Sequence, residues 1–389
     1  RAGFIQPFFY TALYTYMKRN KILPQAITLL FIVLIFGFFT MNAQVNMDNR
    51  GIEFGFGFLK QEASFDIQFS LIEYDGSHSY ARAYLVGLLN TLLVALIGII
   101  LSTILGVIVG VARLSPNYLI KKTATFYVEF FRNIPLLLQI FFWYFAALRA
   151  LPMPEDANLL LGSSFMTIKG LYTPAPVWEN FNLFLITLVI ALILIFFVSR
   201  YARKKQEEDG KQLPIFLISL GIFIGFPLLT FLVGGFDLSF SFPELKQLAK
   251  TSYTYEGGMG IPPELIALTL ALTLYTATFI AENVRAGIQG IGKGQKEAAA
   301  SIGLTPGQVL KLVIMPQALR IIIPPTTNQY LNLTKNSSLA AAIAYPDLVL
   351  VFAGTAMMQT GRAIEIVAIT MATYLSISLA ISVFMNWYN

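Results

Sequence analysis

Apolar residues in this chain collect into long runs that are separated by shorter polar segments. Each run approaches the ~20 residues that an α-helix needs to cross the hydrocarbon core of a bilayer. Lipid offers no partner to an unpaired backbone group, so each run is predicted to be helical. The eight runs lie near residues 24–41, 84–112, 126–149, 181–199, 213–235, 262–284, 318–344 and 363–387. The pattern therefore predicts an all-α polytopic membrane protein with about eight transmembrane helices.

Composition and charge support this class and orient the chain. Of the 389 residues, 56% are hydrophobic and 12% are charged, whereas soluble domains carry about 25% charged residues. With the N-terminus placed in the cytoplasm, the inner segments hold 17 Lys and Arg residues and the outer segments hold 7. Basic residues of cytoplasmic loops set membrane topology. Both termini are therefore predicted to be cytoplasmic, and the net charge of +6 indicates no nucleic-acid partner.

Several kinds of chemistry are not supported by the residues. The chain has no Cys, which excludes disulfides and thiolate metal sites and is consistent with a bacterial inner membrane. A metal role for the single histidine, His78, would need other ligands nearby, so a plain loop histidine is predicted. The zinc-peptidase and serine-hydrolase motifs H-E-x-x-H and G-x-S-x-G do not occur. No catalytic residue and no metal site are predicted.

A glycine-rich segment after the sixth run resembles a phosphate-binding loop only superficially. "GIQGIGKG", residues 287–294, ends on Gly294 where the pattern needs a Ser or Thr hydroxyl for Mg²⁺. The motif also follows a strand, whereas the preceding element here is a membrane helix. The glycines are therefore predicted to form a tight turn, and this chain is predicted to bind no nucleotide.

The next segment, "KEAAASIGLTPGQVLKLVIMP" at 296–316, predicts a short helix that ends at a glycine. Residues 295–302 have the length of about two turns. Glu297 lies in the first turn, where the helix dipole favours an acid, and the alanines that follow are strong helix formers. Gly303 can adopt a positive φ without strain and so ends the helix.

A second helix is predicted directly after this glycine. Thr305 can cap its N-terminus, with Pro306 in the first helical position. The helix is expected to run to Pro316, where a new segment leads into the seventh span. The two helices form a hairpin on the cytoplasmic side. From the residues alone, an ordinary amphipathic connector explains this hairpin as well as a docking element does.

The seventh span carries the most polar stretch within any predicted span, "TNQYLNLTKNSSL" at 327–339. Asn328, Asn332 and Lys335 are spaced by four and three residues, so they share one helix face. A polar stripe is costly against lipid, so it is predicted to face the protein interior or a wet cavity. Snorkelling of Lys335 to the outer interface, or packing of the stripe against a second subunit, explains the same pattern.

The end of this stretch suggests hydrogen-bonding groups on a substrate route. "KNSS" is expected to end the helix, leaving Asn336, Ser337 and Ser338 able to offer hydrogen bonds. Lys335 is the nearest intramembrane cation for a substrate carboxylate on this face. Arg132 in the third span is the other candidate.

The 296–316 segment is similar to the E-A-A-x₃-G-x₉-I-x-L-P pattern of membrane subunits of ABC importers. Glu297, Ala298, Ala299, Gly303 and Pro316 match the pattern, whereas Val313 stands for its Ile and Met315 for its Leu. Further stretches at 87–115, 127–146, 282–299 and 333–349 resemble permeases for polar amino acids. The outer loop 42–83, expected to be partly helical along the outer membrane surface, and the helix pair 181–235 resemble the longer general L-amino-acid permease subunits.

This resemblance implies the type I ABC importer transmembrane fold. Residues 84–387 would form the transmembrane domain, with a core of spans two, three, six, seven and eight. An N-terminal segment, the first helix and a periplasmic loop would occupy 1–83, and 285–317 would be the cytoplasmic coupling loop. The pair 181–235 would be inserted into the core, and because its apolar runs carry no charge, it is predicted to face lipid or brace the core.

The resemblance also implies a function. The chain would be the non-catalytic permease subunit of an ATP-driven L-amino-acid importer, with ATP and Mg²⁺ bound by separate ATPase subunits. Residues 294–304 would be the coupling helix that docks in an ATPase cleft. Its contact residues would be Lys296, Glu297, Ala298, Ala299, Ala300 and Gly303. Further expected partners are an amino-acid-binding protein on the outer side and a second permease; the longer form resembles subunits that work in unlike pairs.

An ion-coupled secondary transporter of amino acids is the alternative. That class is built from inverted repeats with broken helices in matching positions. No such symmetry is visible in the sequence. A secondary carrier would also work alone on an ion gradient, whereas an ABC permease needs its ATPase.

Overall fold

The computed structural model describes residues 22–49, 55–160, 162–209, 213–234, 237–249 and 252–388. Within these residues, seven helices are long and apolar enough to cross a membrane, or eight if the bent pair α3–α4 is one span, which confirms the predicted number. The cytoplasmic segment predicted before residue 22 lies outside the described residues. The helices are α1 Ile22–Asn49, α2 Tyr80–Ala112, α3 Tyr118–Asn133, α4 Leu136–Ala150, α5 Phe181–Asp209, α6 Ile215–Leu232, α7 Pro263–Gln289, α8 Lys293–Ser301, α9 Pro306–Ile343, α10 Val349–Thr360 and α11 Ala363–Tyr388.

The third predicted span, 126–149, is not a single straight helix. It is split between α3 and α4, whose axes differ by 102°. Pro135 lacks an N–H and disfavours helical geometry in the preceding residue, and Ile134 is extended, with φ −97° and ψ 128°. The side-chain amide of Gln139 donates to the carbonyls of Phe131 and Ile134, at 2.8 and 3.0 Å. This buried side chain satisfies backbone groups that the break leaves without helical partners.

The outer loops contain antiparallel strands that the hydropathy pattern did not predict. One four-stranded sheet has the order β1-β2-β3-β8, and two ribbons pair β4 with β5 and β6 with β7. The β3–β8 and β4–β5 pairs join the loop before the inserted helices to the loop after them. The strands are β1 Leu159–Leu160, β2 Ser164–Thr167, β3 Gly170–Thr173, β4 Ala175–Glu179, β5 Asp237–Ser241, β6 Glu244–Ala249, β7 Ser252–Glu256 and β8 Met259–Ile261.

Helices α2 and α7 form the central pair of the transmembrane core. A Cβ atom at Gly106 would lie 2.6 Å from Ile280 Cβ, and one at Gly110 would lie 2.7 Å from Val284 Cβ. These glycines therefore allow the two backbones to approach closely, as is common for helices packed in membranes. The apolar cluster around the outer half of the pair includes Ile140, Leu268, Leu272, Leu333 and Tyr345.

The inserted helices α5 and α6 form a hairpin carried by the β4–β5 ribbon. They pack mainly against each other. Residues 184–198 are mostly exposed, with Thr187 and Ala191 as the buried exceptions. The inserted helices therefore lie at the periphery, as predicted. Residues 184–198 are not part of the helix core around α2 and α7.

The outer loop before α2 is anchored to the far end of the chain. A short 3₁₀ turn, Gly57–Lys60, is its helical part within residues 55–79. Phe58 is buried against Phe352 and Tyr80. His78 stays a loop residue, with Nδ1 3.1 Å from Asp75 Oδ1. Hydrogen bonds from Ser77 hold the pKa of the Asp75 carboxyl below its usual range.

Candidate functional site

The hairpin predicted for the cytoplasmic side has the local geometry that the sequence predicts. Helix α8 is followed by Gly303, whose φ of +85° lies in the left-handed region that favours glycine. Thr305 caps the next helix, with Pro306 in its first turn. The Thr305 N–H donates to Gln308 Oε1 at 2.9 Å, one half of a capping box. The glycines before α8 form the expected short connection at 290–292.

The predicted break at Pro316 is wrong. Helix α9 continues from Pro306 through a π-helical turn, Val309–Ile314, into the α-helical segment Met315–Asn336. The proline directly follows the wider π turn, where the hydrogen-bonding register changes and a missing N–H is tolerated. The second helix of the hairpin and the seventh span are consequently one continuous element.

The α8 residues divide into two faces. Lys296, Glu297, Ala298, Ala300 and Gly303 are exposed. Ala299 is buried, so its methyl group belongs to the inner face and not to the exposed surface.

The inner face of α8 packs on its own chain. Ala299 joins an apolar cluster with Val309, Ile314 and Ala318 of α9 and with Ile291 of the preceding turn. These contacts fix α8 against the beginning of α9. A displacement of α8 would therefore be passed directly to the seventh span.

One exposed residue of this hairpin was missed by the sequence analysis. The Ile302 side chain is 77% exposed between α8 and the Gly303 turn. An exposed branched apolar side chain in a polar loop is suited to a partner surface. Its signal in the sequence is an isoleucine directly before the helix-ending glycine.

A charged network, which the sequence also did not predict, joins the C-terminal end of α2 to the last turns of α7. Glu282 of α7 accepts hydrogen bonds from Arg113, just after α2, and from Arg285 one turn further along α7. Arg285 also donates to Gln289. The network ties the end of α2 to the segment that leads into α8. Only the spacing of Glu282 and Arg285 could have been read from the sequence, because Arg113 is 169 residues away.

The predicted stripe on α9 does share one face. Asn328, Asn332 and Lys335 are all exposed, whereas Leu333 and Thr334 between them are buried. Exposed carboxamides and an ammonium group at the depth of a membrane helix need polar neighbours.

Lys335 borders a groove between α9 and α11. The groove has a volume of about 450 Å³, and its walls include Ser338, Thr370, Met371 and Tyr374. A cation and several hydroxyl groups thus lie beside apolar side chains. This combination can hold a carboxylate together with an apolar group.

The other predicted pathway residues are placed less favourably. The α-helical part of α9 ends at Asn336, as predicted, but 3₁₀ turns continue to Ile343. The hydroxyl of the buried Ser337 donates to the Thr334 carbonyl, and the hydroxyl of Ser338 donates to the Lys335 carbonyl, both at 2.7 Å. These two hydroxyl groups are engaged by the backbone of their own helix.

Arg132 lies on α3, a helix that packs on α2 and α7. Its guanidinium nitrogen Nη2 is 3.5 Å from Glu129 Oε1. This pair belongs to the last turns of α3, near the bend into α4. The structure does not bring Arg132 together with the α9 stripe. Across the described residues, no three His, Cys, Asp or Glu side chains form a possible metal site.

Comparisons with known proteins agree with this architecture. The family model "Binding-protein-dependent transport system inner membrane component" matches residues 211–389. The general L-amino acid transport system permease protein AapQ of Rhizobium johnstonii is 46% identical over 96% of this chain and 92% of its own length. The glutamate/glutamine/aspartate/asparagine transport system permease protein BztB of Rhodobacter capsulatus is 41% identical over 90% and 88%. The chain therefore belongs to the family of amino-acid ABC transporter permeases.

Proposed function

We propose that this permease forms the translocation pathway of an ATP-driven importer of L-amino acids and is coupled through α8 to a separate ATPase. The observation that carries the coupling is the two-faced character of α8. Its exposed face consists of small and charged residues beside Ile302, and its inner face holds Ala299 against α9. Small side chains allow close approach to a cleft in a partner, and the packed inner face transmits the resulting motion.

The substrate route is proposed to follow the exposed stripe of α9. Asn328, Asn332 and Lys335 supply amide groups and a cation for a polar solute that carries a carboxylate. Because α9 also begins at the coupling hairpin, the same helix connects the ATPase contact with the route. From Val309 to Lys335 it spans 26 residues, or ~39 Å at 1.5 Å per residue.

The remaining partners and the location follow from the family and the charge pattern. We infer two ATPase subunits that bind ATP and Mg²⁺, a second permease of the same family, and an amino-acid-binding protein on the outer side. The family description names an inner-membrane component, and the excess of basic residues in the alternate loops supports cytoplasmic termini.

Uptake by a strain that lacks this gene tests the proposal. The strain is complemented with the wild-type chain, and uptake of radiolabelled acidic, neutral and basic amino acids is measured with and without depletion of ATP. The expected result is ATP-dependent uptake together with co-purification of an ATPase. Uptake by the purified chain alone, driven by an ion gradient in proteoliposomes, would show a secondary carrier instead.

A further inference from the structure

A second polar recess lies at the outer end of the protein, away from the α9 stripe. Its volume is about 440 Å³, within the ~300–1,000 Å³ typical of small-molecule sites. The outer loop, the end of α4, the β2–β3 turn and the start of α7 all contribute to its walls. Its polar groups come from Gln68, Tyr144, Arg149, Lys169 and Glu264.

Three of these groups form a hydrogen-bonded chain. The Tyr144 hydroxyl donates to Glu264 Oε1 at 2.7 Å and accepts from Arg149 Nη2 at 3.3 Å. The Arg149 guanidinium also lies over the Tyr144 ring, 5.3 Å from its centre. Because Tyr144 is buried, it fixes both the carboxylate and the guanidinium at the wall.

The cations keep hydrogen-bonding capacity that can point into the recess. A guanidinium has five N–H donors, and an ammonium group has three. Arg149 is exposed and makes one such bond to Tyr144. Lys169 is exposed and donates to the Tyr253 carbonyl at 2.6 Å. Two cations and one carboxylate give the recess a charge of about +1.

We propose that this recess receives an amino acid on the outer side, with its carboxylate at Arg149 and Lys169 and its α-ammonium group at Glu264. The positive balance favours acidic amino acids over neutral ones and disfavours basic ones. The inference rests on the proposed function, since it takes an amino acid as the substrate. A concave wall built from five separate segments suits a small solute better than the flat surface of a protein.

Equilibrium dialysis tests the site directly. The purified permease–ATPase complex, without binding protein, is dialysed against radiolabelled glutamate, glutamine or arginine. The double variant R149Q/K169Q is expected to lower glutamate affinity about 10-fold, because two charge-assisted hydrogen bonds are lost. Glutamine affinity should fall less, because its side chain carries no charge. Arginine affinity should fall least, because removal of two like charges offsets its lost carboxylate contacts. The control K60Q removes an exposed outer cation that does not line the recess and should change none of the three.

A milder variant controls for misfolding of the double variant. K169Q alone alters an exposed side chain and should lower glutamate affinity several-fold, with gel filtration unchanged. Equal affinities in wild type and both variants would overturn the inference, and so would a loss of glutamate affinity in K60Q as large as that in R149Q/K169Q. Uptake in cells is measured in parallel. If wild-type cells show no ATP-dependent uptake, the proposed function itself fails.

Discussion

Helices α6 and α7 show that hydrophobicity and burial are separate properties in this protein. By mean hydropathy α6 is the more apolar of the two, yet none of its most apolar window is buried, compared with 61% for α7. Lipid tails are as apolar as the helix surface, so the hydrophobic effect does not drive helices together in the membrane. Burial of a helix depends on close packing instead. The helix that is rich in Ala and Thr forms the core, and the helix of large apolar residues remains outside.

Glycines mark the same difference. Gly106 and Gly110 of α2 leave no room for a side chain against α7. At Gly221 and Gly225 of α6, by contrast, a Cβ atom would have no heavy atom of the described residues within 4 Å. A glycine is therefore a packing requirement in one region and a neutral residue in the other. Four experiments test how far this contrast extends.

Adding bulk to the α2–α7 contact should have the largest effect. Gly106→Leu would force Ile280 and its backbone to move, and overpacking of this kind costs about 1–3 kcal/mol or more. The matched control Gly225→Leu should leave stability unchanged. Thermal unfolding in detergent measures both. Similar unfolding midpoints for the two variants would break the contrast between core and insertion.

Bulk on the exposed face of α8 should stop transport without unfolding the chain. Ala298→Trp would block close approach to the ATPase, so uptake is expected to fall at least ~10-fold, the effect of ~1.4 kcal/mol. Gly303→Asp should act similarly, because its φ of +85° strains a side chain by ~1 kcal/mol or more. Gly221→Trp adds the same ring to the inserted hairpin as a control. Normal uptake by both loop variants contradicts the coupling proposal.

The polar stripe should be less sensitive than the coupling helix. Lys335→Met keeps most of the bulk of the side chain and removes its charge, so uptake should fall several-fold and selectivity among acidic, neutral and basic amino acids should change. Basal ATPase activity and assembly should be retained. If uptake rate and selectivity both stay at wild-type values, Lys335 is not a substrate ligand, and snorkelling to the interface explains it.

Removal of the inserted hairpin should have the smallest effect. Strands β4 and β5 pair from Ala175↔Ser241 to Glu179↔Asp237, so the ends left by deleting 175–241 lie ~5 Å apart. A short Gly-Ser linker should rejoin them, and uptake should remain at least half of the wild-type rate. A complete loss of uptake in a correctly inserted chain would give α5 and α6 a role in transport.

The sequence by itself determined the local features. Apolar run lengths predicted the helices, since lipid leaves the backbone no alternative partner. Glu297, the alanines and Gly303 predicted the short helix and its end because capping and positive φ depend on neighbouring residues only. The 3.6-residue period placed Asn328, Asn332 and Lys335 on one face.

Tertiary structure decided whatever depends on residues far apart in the chain. The Gln139 side chain donates hydrogen bonds across the bend at Pro135, and Glu282 forms an ion pair with Arg113. The Glu264 carboxylate accepts a hydrogen bond from Tyr144, which lies 120 residues earlier in the chain. Strands β3 and β8 pair across the whole inserted hairpin, which no local pattern specifies. The direction in which Ala299 points was likewise open, because a run of small residues, Ala298–Ser301, gives α8 no apolar stripe. Periodicity shows which residues share a helix face, and only tertiary packing decides which other residues contact that face.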